Sequence, residues 1–253
     1  MDKTQLAGIR IVLVEPAGAL NVGSVARVMK NMGLQELVLV NPHCDPRGDE
    51  ARQMAVHAAD ILEQARLVET IPEALEGCQR AIATTARSRT LPTPLQSPRT
   101  ALPKLLTEKL KSALIFGPED RGLSNIELNY AQEFVCIPSN PEYPSLNLAQ
   151  AVAVCAYELY QACQGESQIT ETQTTQVLIP KEISPVSMEA LEAYYQHLET
   201  LLLRIGYLYP HTAKARMEKL RRMYNRTTLS QEEVAMLRGI LSQVEWALEN
   251  RDS

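Results

Sequence analysis

Six short aliphatic runs, at residues 9–14, 37–40, 66–68, 80–84, 113–116 and 134–137, alternate along the chain with stretches of helical spacing. No other feature narrows the possible folds as much. Strands that alternate with helices predict an α/β domain with a parallel sheet covered on both faces. The first helix is predicted to begin at Asn21 or Val22 and to end at Gly33, a residue suited to the position after a helix end. Another is predicted from Asn147 to Gln164, with Leu148, Ala151, Val152, Cys155, Ala156 and Leu159 in a broad apolar band. The breadth of that band and its alanines fit either a subunit interface or core packing.

From 165 to 185 the composition shifts to Gln, Thr, Glu and Ser with Pro180 and Pro185, too poor in large apolar side chains to fold alone. This stretch reads as a linker. Beyond it, Met188, Leu191, Tyr195, Leu198, Leu202 and Ile205 share one helix face. Ser230-Gln231-Glu232-Glu233 is a capping box ahead of a second face made of Val234, Leu237, Leu241, Val244 and Leu248. The expected organisation is an α/β domain at 1–164, a linker at 165–185 and a small all-α domain of about three helices at 186–253.

A chain of 253 residues is long enough for both domains. No apolar run approaches the ~20 residues of a membrane span, and the N-terminus lacks the basic and apolar regions of a signal peptide. The expectation is a cytoplasmic protein with no membrane contact. The five cysteines are scattered, without a C-x-x-C pair or histidines at ligand spacing, so they read as reduced and mostly buried, and no metal is expected. A net charge of -5 does not advertise nucleic-acid binding, and local clustering must decide. Lys214, Arg216, Lys219, Arg221, Arg222 and Arg226 fall within thirteen residues, opposed only by Glu218 and near Tyr207, Tyr209 and Tyr224. Such a helix suits phosphate contacts and base stacking, although irregular spacing also fits a solvated face.

Three polar blocks each follow an apolar run: Asn21-Val22-Gly23-Ser24-Val25-Ala26-Arg27, Phe116-Gly117-Pro118-Glu119-Asp120-Arg121-Gly122-Leu123 and Ser145-Leu146-Asn147-Leu148. Loops at the ends of parallel strands converge, so the blocks point to one site. Gly18 and Gly23 have the spacing of a phosphate-binding loop, but Ser24 stands where that motif needs Lys, and no G-x-G-x-x-G occurs. What remains is a helix start with Asn21 and Arg27 available to an anion, or a capped helix with a surface arginine. Thr84, Thr85 and Ala86 are small enough for close backbone approach to a flat ligand. Gly117 and Gly122 bracket a loop. Glu119 and Asp120 read as a paired acid site or as helix caps, and Ser145-Leu146-Asn147 as site groups or as a cap.

Together, N-x-G-S-x-x-R, F-G-x-E-x-x-G-L and I-P…S-L-N-L-A resemble the three motifs of the SPOUT-class RNA 2′-O-ribose methyltransferases. The wording of Ile11-Val12-Leu13-Val14-Glu15, Leu39-Val40-Asn41-Pro42, Ala86-Arg87-Ser88-Arg89-Thr90-Leu91-Pro92 and Asn140-Pro141-Glu142-Tyr143 is similar to bacterial members that modify nucleotide 32 of the tRNA anticodon loop. The likeness spans nearly the whole chain, including Lys219-Leu220-Arg221-Arg222 and Leu237-Arg238-Gly239-Ile240-Leu241. It implies S-adenosylmethionine as methyl donor, a cytidine or uridine ribose of tRNA as acceptor, a homodimer, and a trefoil knot late in the catalytic domain that no spacing could show.

By motif match, Thr84, Thr85, Ala86, Gly117, Ile137, Pro144, Ser145 and Leu146 would line the cofactor pocket. Arg27 would be catalytic together with Asn21 and Ser145, and Arg27, Arg87, Lys219, Arg221 and Arg222 would contact RNA. Close relatives commonly carry Ser at position 144; Pro144 has no N–H to donate, which leaves its carbonyl. A guanidinium in its ordinary charged form is a poor base, so the expected role of Arg27 is to grip a phosphate and orient the hydroxyl, with direct action as a base the second option. A methyltransferase for another tRNA or rRNA ribose, a non-enzymatic RNA-binding protein and a doubly wound small-molecule enzyme are the competing classes.

Overall fold

The computed structural model describes residues 4–86, 95–106, 110–166, 185–225 and 229–250. The chain divides into two compact units, 1–174 and 175–253. In the first, β1 (Ile9–Val14), β2 (Glu36–Val40), β3 (Arg66–Val68), β4 (Arg80–Thr84), β5 (Ser112–Phe116) and β6 (Glu133–Val135) form one parallel sheet in the order β3-β2-β1-β5-β4-β6. Val12 of the central strand lies between Val38 and Ile115. The last run stops at Val135 rather than Ile137: the Val135 carbonyl accepts from the Thr85 N–H (2.9 Å) just past β4, and the next amide, that of Cys136, donates instead to the Gln96 carbonyl (3.0 Å).

Every residue of β1 is buried, as expected of a parallel strand covered on both faces. Ile9, Ile11, Leu13, Leu37, Leu39, Leu114 and Phe116 pack on one face against α1 (Ala19–Asn31) and α4 (Leu148–Glu166), which follows α2 (Asp49–Ala55) and α3 (Ala59–Gln64) in the chain. Val12, Val14, Val38, Val40 and Ile115 alternate with them and are equally buried on the other face. Burying one side chain the size of Leu contributes roughly 1.5–3 kcal/mol. Arg10 is buried among them without being orphaned, since its guanidinium bonds Glu36 (3.1 Å) and the carbonyls of Ala74 and Glu76 (2.7 and 2.9 Å).

Helix α1 begins two residues before the predicted start and is followed by Gly33 in the left-handed region (φ 76°). Gly23 sits inside it, not in a loop: a Cβ there would overlap the Ala51 carbonyl of α2. The glycine therefore permits helix-to-helix contact and has no phosphate to cradle. Helix α4 buries Leu148, Val152, Cys155, Ala156 and Leu159, while Val154 and Tyr157 are 37% and 47% exposed. It runs through Glu166, and 167–184, most of the expected linker, lie outside the described residues.

The second unit holds α5 (Met188–Arg204), α6 (Pro210–Asn225) and α7 (Gln231–Glu249). Leu191, Tyr194, Tyr195, Leu198, Leu201, Leu208, Met217, Val234 and Leu241 form its core. The capping box is present as read: Ser230 Oγ accepts from the Glu233 N–H (3.1 Å) and Glu233 accepts from the Ser230 N–H (2.7 Å). Two residues assigned to the inner faces are exposed instead. Ile205 lies past the end of α5, and on α7 the inward place beside Leu241 goes to Glu245, which pairs with His197 at 2.9 Å, leaving Val244 outside. Among the described residues no helix is long and apolar enough to cross a membrane.

Candidate active site

The order β1-β5-β4-β6 places the loops that follow these four strands side by side, and they are the loops that carry the polar blocks. A cavity of about 320 Å³ opens between them, within the range of small-molecule sites. Thr84, Thr85, Ala86, Gly117, Ile137, Pro144, Ser145 and Leu146 all line it, joined by Phe116, Pro118 to Leu123, Val135, Leu148 and Ala151. Its wall mixes apolar side chains with hydroxyls and backbone, which suits a ligand of mixed polarity. Gly117 is required for a local reason: a Cβ would overlap the backbone of Gly122 and Leu123, where the loop folds back on itself with Gly122 at φ 64°.

A relay of hydrogen bonds ties the three blocks together. Glu119 accepts from the N–H groups of Ala17 (3.1 Å) and Gly18 (3.4 Å) and from Asn21 Nδ2 (2.9 Å). Asn21 Oδ1 accepts from Asn147 Nδ2 (2.9 Å), and Asn147 Oδ1 accepts from the N–H groups of Ala149 (2.9 Å) and Gln150 (3.4 Å) at the start of α4. Gln150 accepts in turn from the Asn147 N–H (3.3 Å). The carboxylate at one end and the helix amides at the other fix the orientation of both asparagine amides. Burial raises the Glu119 pKa, but the hydrogen bonds from Asn21 and the backbone outweigh it and hold the group below the usual carboxylate value.

Glu119 therefore holds the approach to α1, accepting from the two residues that precede the helix, Ala17 and Gly18, and from the Asn21 side chain in its first turn. Glu119 does not cap the helix that follows it, where Ser124 accepts from the Glu127 N–H; its carboxylate instead ties this loop to the first block. Asn147, rather than Ser145, caps α4. Asn21 has both ends of its amide committed, which makes it a positioning residue. The Pro144 carbonyl is not idle either, because it accepts from Ser139 Oγ (2.9 Å).

Arg121 braces the same loops. It bonds Glu127 (2.8 and 3.0 Å), Glu15 (2.6 Å) and the Gly122 carbonyl (3.0 Å). Glu15, at the end of β1, is held in the left-handed region at φ 47°, a conformation few non-glycine residues adopt. Burial raises the Glu127 pKa, and its bonds to Arg121 and Ser124 more than reverse that. Sequence inspection missed Arg121 because its partners lie in two other segments.

Arg27 is exposed on α1, six residues past Asn21 and so about 240° further round the helix. It is not among the residues lining the cavity, so a single chain does not unite Arg27 with Ser145. Arg87 and Arg226 lie outside the described residues. On α6, Lys219 is exposed, but Arg221 is not available as expected. Its side chain is 14% exposed, bonds both oxygens of Glu192 (2.5 and 2.7 Å) and lies over the Tyr195 ring at 4.5 Å. Arg222 is 20% exposed and pairs with Glu218 at 3.8 Å. Among the described residues no group of three or more His, Cys, Asp or Glu is placed to hold a metal ion.

Residues 8–157 match the model of the SpoU rRNA methylase family, and residues 189–253 match that of the tRNA methyltransferase TrmJ C-terminal domain. The chain is 44% identical over 244 residues, 94% of its length and 93% of the relative's, to the tRNA (cytidine/uridine/adenosine-2′-O-)-methyltransferase TrmJ of Pseudomonas aeruginosa (strain UCBPP-PA14). Its structure is similar to that of TrmJ from Z. mobilis ZM4, with a TM-score of 0.80, 33% identity and coverage of 93% of this chain and 98% of that one. A structure described as giving insight into 2-OH methylation of C/U34 on tRNA is similar over 62% of this chain and 91% of its own, at 29% identity and a TM-score of 0.50. The two family models divide between them the sheet with its convergent loops and the three-helix unit; the chain belongs to the SpoU rRNA methylase family and carries the C-terminal domain of its TrmJ members.

Proposed function

We propose that the chain transfers a methyl group from S-adenosylmethionine to the 2′-hydroxyl of a tRNA ribose, at a cytidine or uridine in position 32 of the anticodon loop. The observation that carries this reading is the convergence of all eight predicted cofactor residues on one cavity beside the Glu119–Asn21–Asn147 relay. The similarity to tRNA 2′-O-methyltransferases supports it over almost the full chain. A tRNA substrate places the reaction in the cytoplasm. No metal enters the reading.

S-adenosylmethionine supplies an electrophilic methyl group; the chain's task is alignment and removal of the hydroxyl proton. Backbone groups of Thr84 to Ala86, Gly117, Ile137 and Leu146 hold the donor, with Ser145 at the cavity wall. Arg27 grips the phosphate next to the target ribose and orients the hydroxyl, whose proton passes to phosphate or water. Because Arg27 stands away from its own chain's cavity, a homodimer in which a second copy supplies it belongs to the same reading. So does the trefoil knot of the SPOUT class, supported by the insertion of β5 between β1 and β4. Residues 1–164 would be the catalytic domain, 165–185 the linker and 186–253 the tRNA-binding domain, where Lys219 is exposed and Arg221 and Arg222 are largely covered.

Calorimetry with S-adenosylmethionine, followed by methyl transfer to an unmodified tRNA transcript and mapping of the modified nucleotide, tests the proposal. Methylation at 32 is expected. Methylation at 34, the position named for one structural neighbour, would move the target within the anticodon loop. Absence of cofactor binding would leave an RNA-binding protein.

A further inference from the structure

The turn between α5 and α6 presents a surface of a different kind from the helix behind it. Leu208 is buried and anchors the turn, its N–H and that of Tyr207 both donating to the Leu202 carbonyl (3.0 Å each). Gly206 makes the reversal at φ 74°. With Leu208 pinned inward, its neighbours are turned out: Ile205, Tyr207 and Tyr209 are 45%, 56% and 54% exposed. Single exposed apolar residues need no explanation, but here the rings are already arranged. Tyr209 stacks on His211 at 6.0 Å with planes 23° apart, and the Arg216 guanidinium sits 5.5 Å from the Tyr207 ring centre while donating to the Tyr207 carbonyl (2.8 Å). Arg216 makes no other hydrogen bond among the described residues, which leaves its remaining N–H groups for an external acceptor. Lys214 is exposed one turn past His211, on a different side of α6 from Arg216, and no acidic residue occurs from 205 to 217.

We propose that residues 205–216 form a platform on which unpaired bases of an RNA strand stack, with Lys214 and Arg216 engaging its phosphates. Flat rings fixed by their neighbours bind bases with little ordering cost, and a stretch without carboxylates favours a polyanion. This deepens the tRNA reading and relocates the RNA contact of the helical domain. The pair Arg221 and Arg222, which face Glu192 and Glu218, is replaced by the first two turns of α6 and the loop before it, while Lys219 stays exposed.

The test uses the full-length protein and an unmodified tRNA transcript, with binding followed by anisotropy across a salt series. Tyr207→Leu/Tyr209→Leu is expected to weaken binding by about tenfold or more, with the salt slope unchanged, since no charge is removed. Tyr207→Phe/Tyr209→Phe should bind as the wild type does. Lys214→Gln, at an exposed site, should make the slope shallower by about 1. Wild-type affinity in the leucine variant, with the helical circular dichroism intact, would overturn the platform. So would a change in association state in place of RNA affinity, which would make the face a protein contact. Methyl transfer by the wild type is read in parallel: its absence counts against the enzymatic reading, whereas RNA affinity lost in the leucine variant supports the platform either way.

Discussion

The sheet unit and the helical unit use their polar residues in opposite ways. Around the cavity, Asn21, Glu119 and Asn147 are separated by up to 126 positions and yet form one continuous relay. On α6, Lys219, Arg221 and Arg222 are almost adjacent and part company: one is exposed, one turns in against Tyr195 and Glu192, and one lies along the helix toward Glu218. Topology explains both. Adjacent parallel strands deliver remote loops to one edge, whereas a helix rotates each successive residue by about 100° and disperses a cluster. The lesson concerns how to weigh charge in a sequence: density along a chain measures nothing until it is projected onto a face.

The strongest way to break this comparison is through Arg27, which belongs to the first block but not to the relay. Arg27→Ala should lower methyl transfer by at least ~100-fold, about 2.7 kcal/mol in the transition state, with fold and S-adenosylmethionine affinity near normal. Turnover close to wild type on tRNA would remove Arg27 from the mechanism.

Next in size, Arg221→Ala should destabilise the helical unit by about 1–3 kcal/mol, because Glu192 is left mostly buried without its partner. Lys219→Gln should leave stability unchanged and make the salt dependence of tRNA binding shallower by about 1. Denaturant melts and a salt series measure the two. Equal effects of both variants on RNA affinity, with no difference in stability, would erase the distinction drawn on α6.

Glu119→Gln should cost about 1–2 kcal/mol by weakening the charge-assisted bonds from Ala17, Gly18 and Asn21, and it also carries a pH signature. The folded-state pKa of Glu119 is lowered, so its stabilisation is complete above the unfolded value and is lost as the pH falls through the folded one. Urea melts between pH 7 and pH 3 should show a steeper acid decline in the wild type than in the glutamine variant. Parallel curves would mean that the relay contributes no pH-linked stability.

The smallest effect is expected at Pro144. Replacement by Ser adds a backbone donor at the cavity wall and should leave S-adenosylmethionine affinity unchanged or improve it by ~0.5–1.5 kcal/mol, as calorimetry would show. A large loss would mean that the proline ring shapes the pocket.

What could be read beforehand was local. The six strands were legible because β-branched runs flanked by turn residues are a short-range signal, and the Ser230–Glu233 capping box was legible because both halves lie within one turn. The start of α1 was misplaced by two residues because its cap position is Gly18, which has no capping side chain to mark it, and the bonds that fix the preceding loop come from Glu119, a partner no window of sequence contains. The cavity-lining residues were named through the family motifs, but the relay behind them, the brace at Arg121 and the inward turn of Arg221 depend on strand order and side-chain direction. Asn147 was in view as part of a motif; its three-way role was not, because it requires Asn21 and Gln150 at the same time.

The long-range tie between Glu119 and the loop ahead of α1 has a consequence for the newborn chain. The Ala17 and Gly18 amides meet Glu119 only about a hundred residues after they have been made, which at about 5–20 residues per second is a wait of roughly 5–20 s. Over the same interval β1 has β2 on one edge and nothing on the other, because its second neighbour, β5, is synthesised just ahead of Glu119. One stretch of nascent chain thus supplies both the second neighbour of β1 and the carboxylate that holds the loop ahead of α1, so the central strand and that loop are completed together.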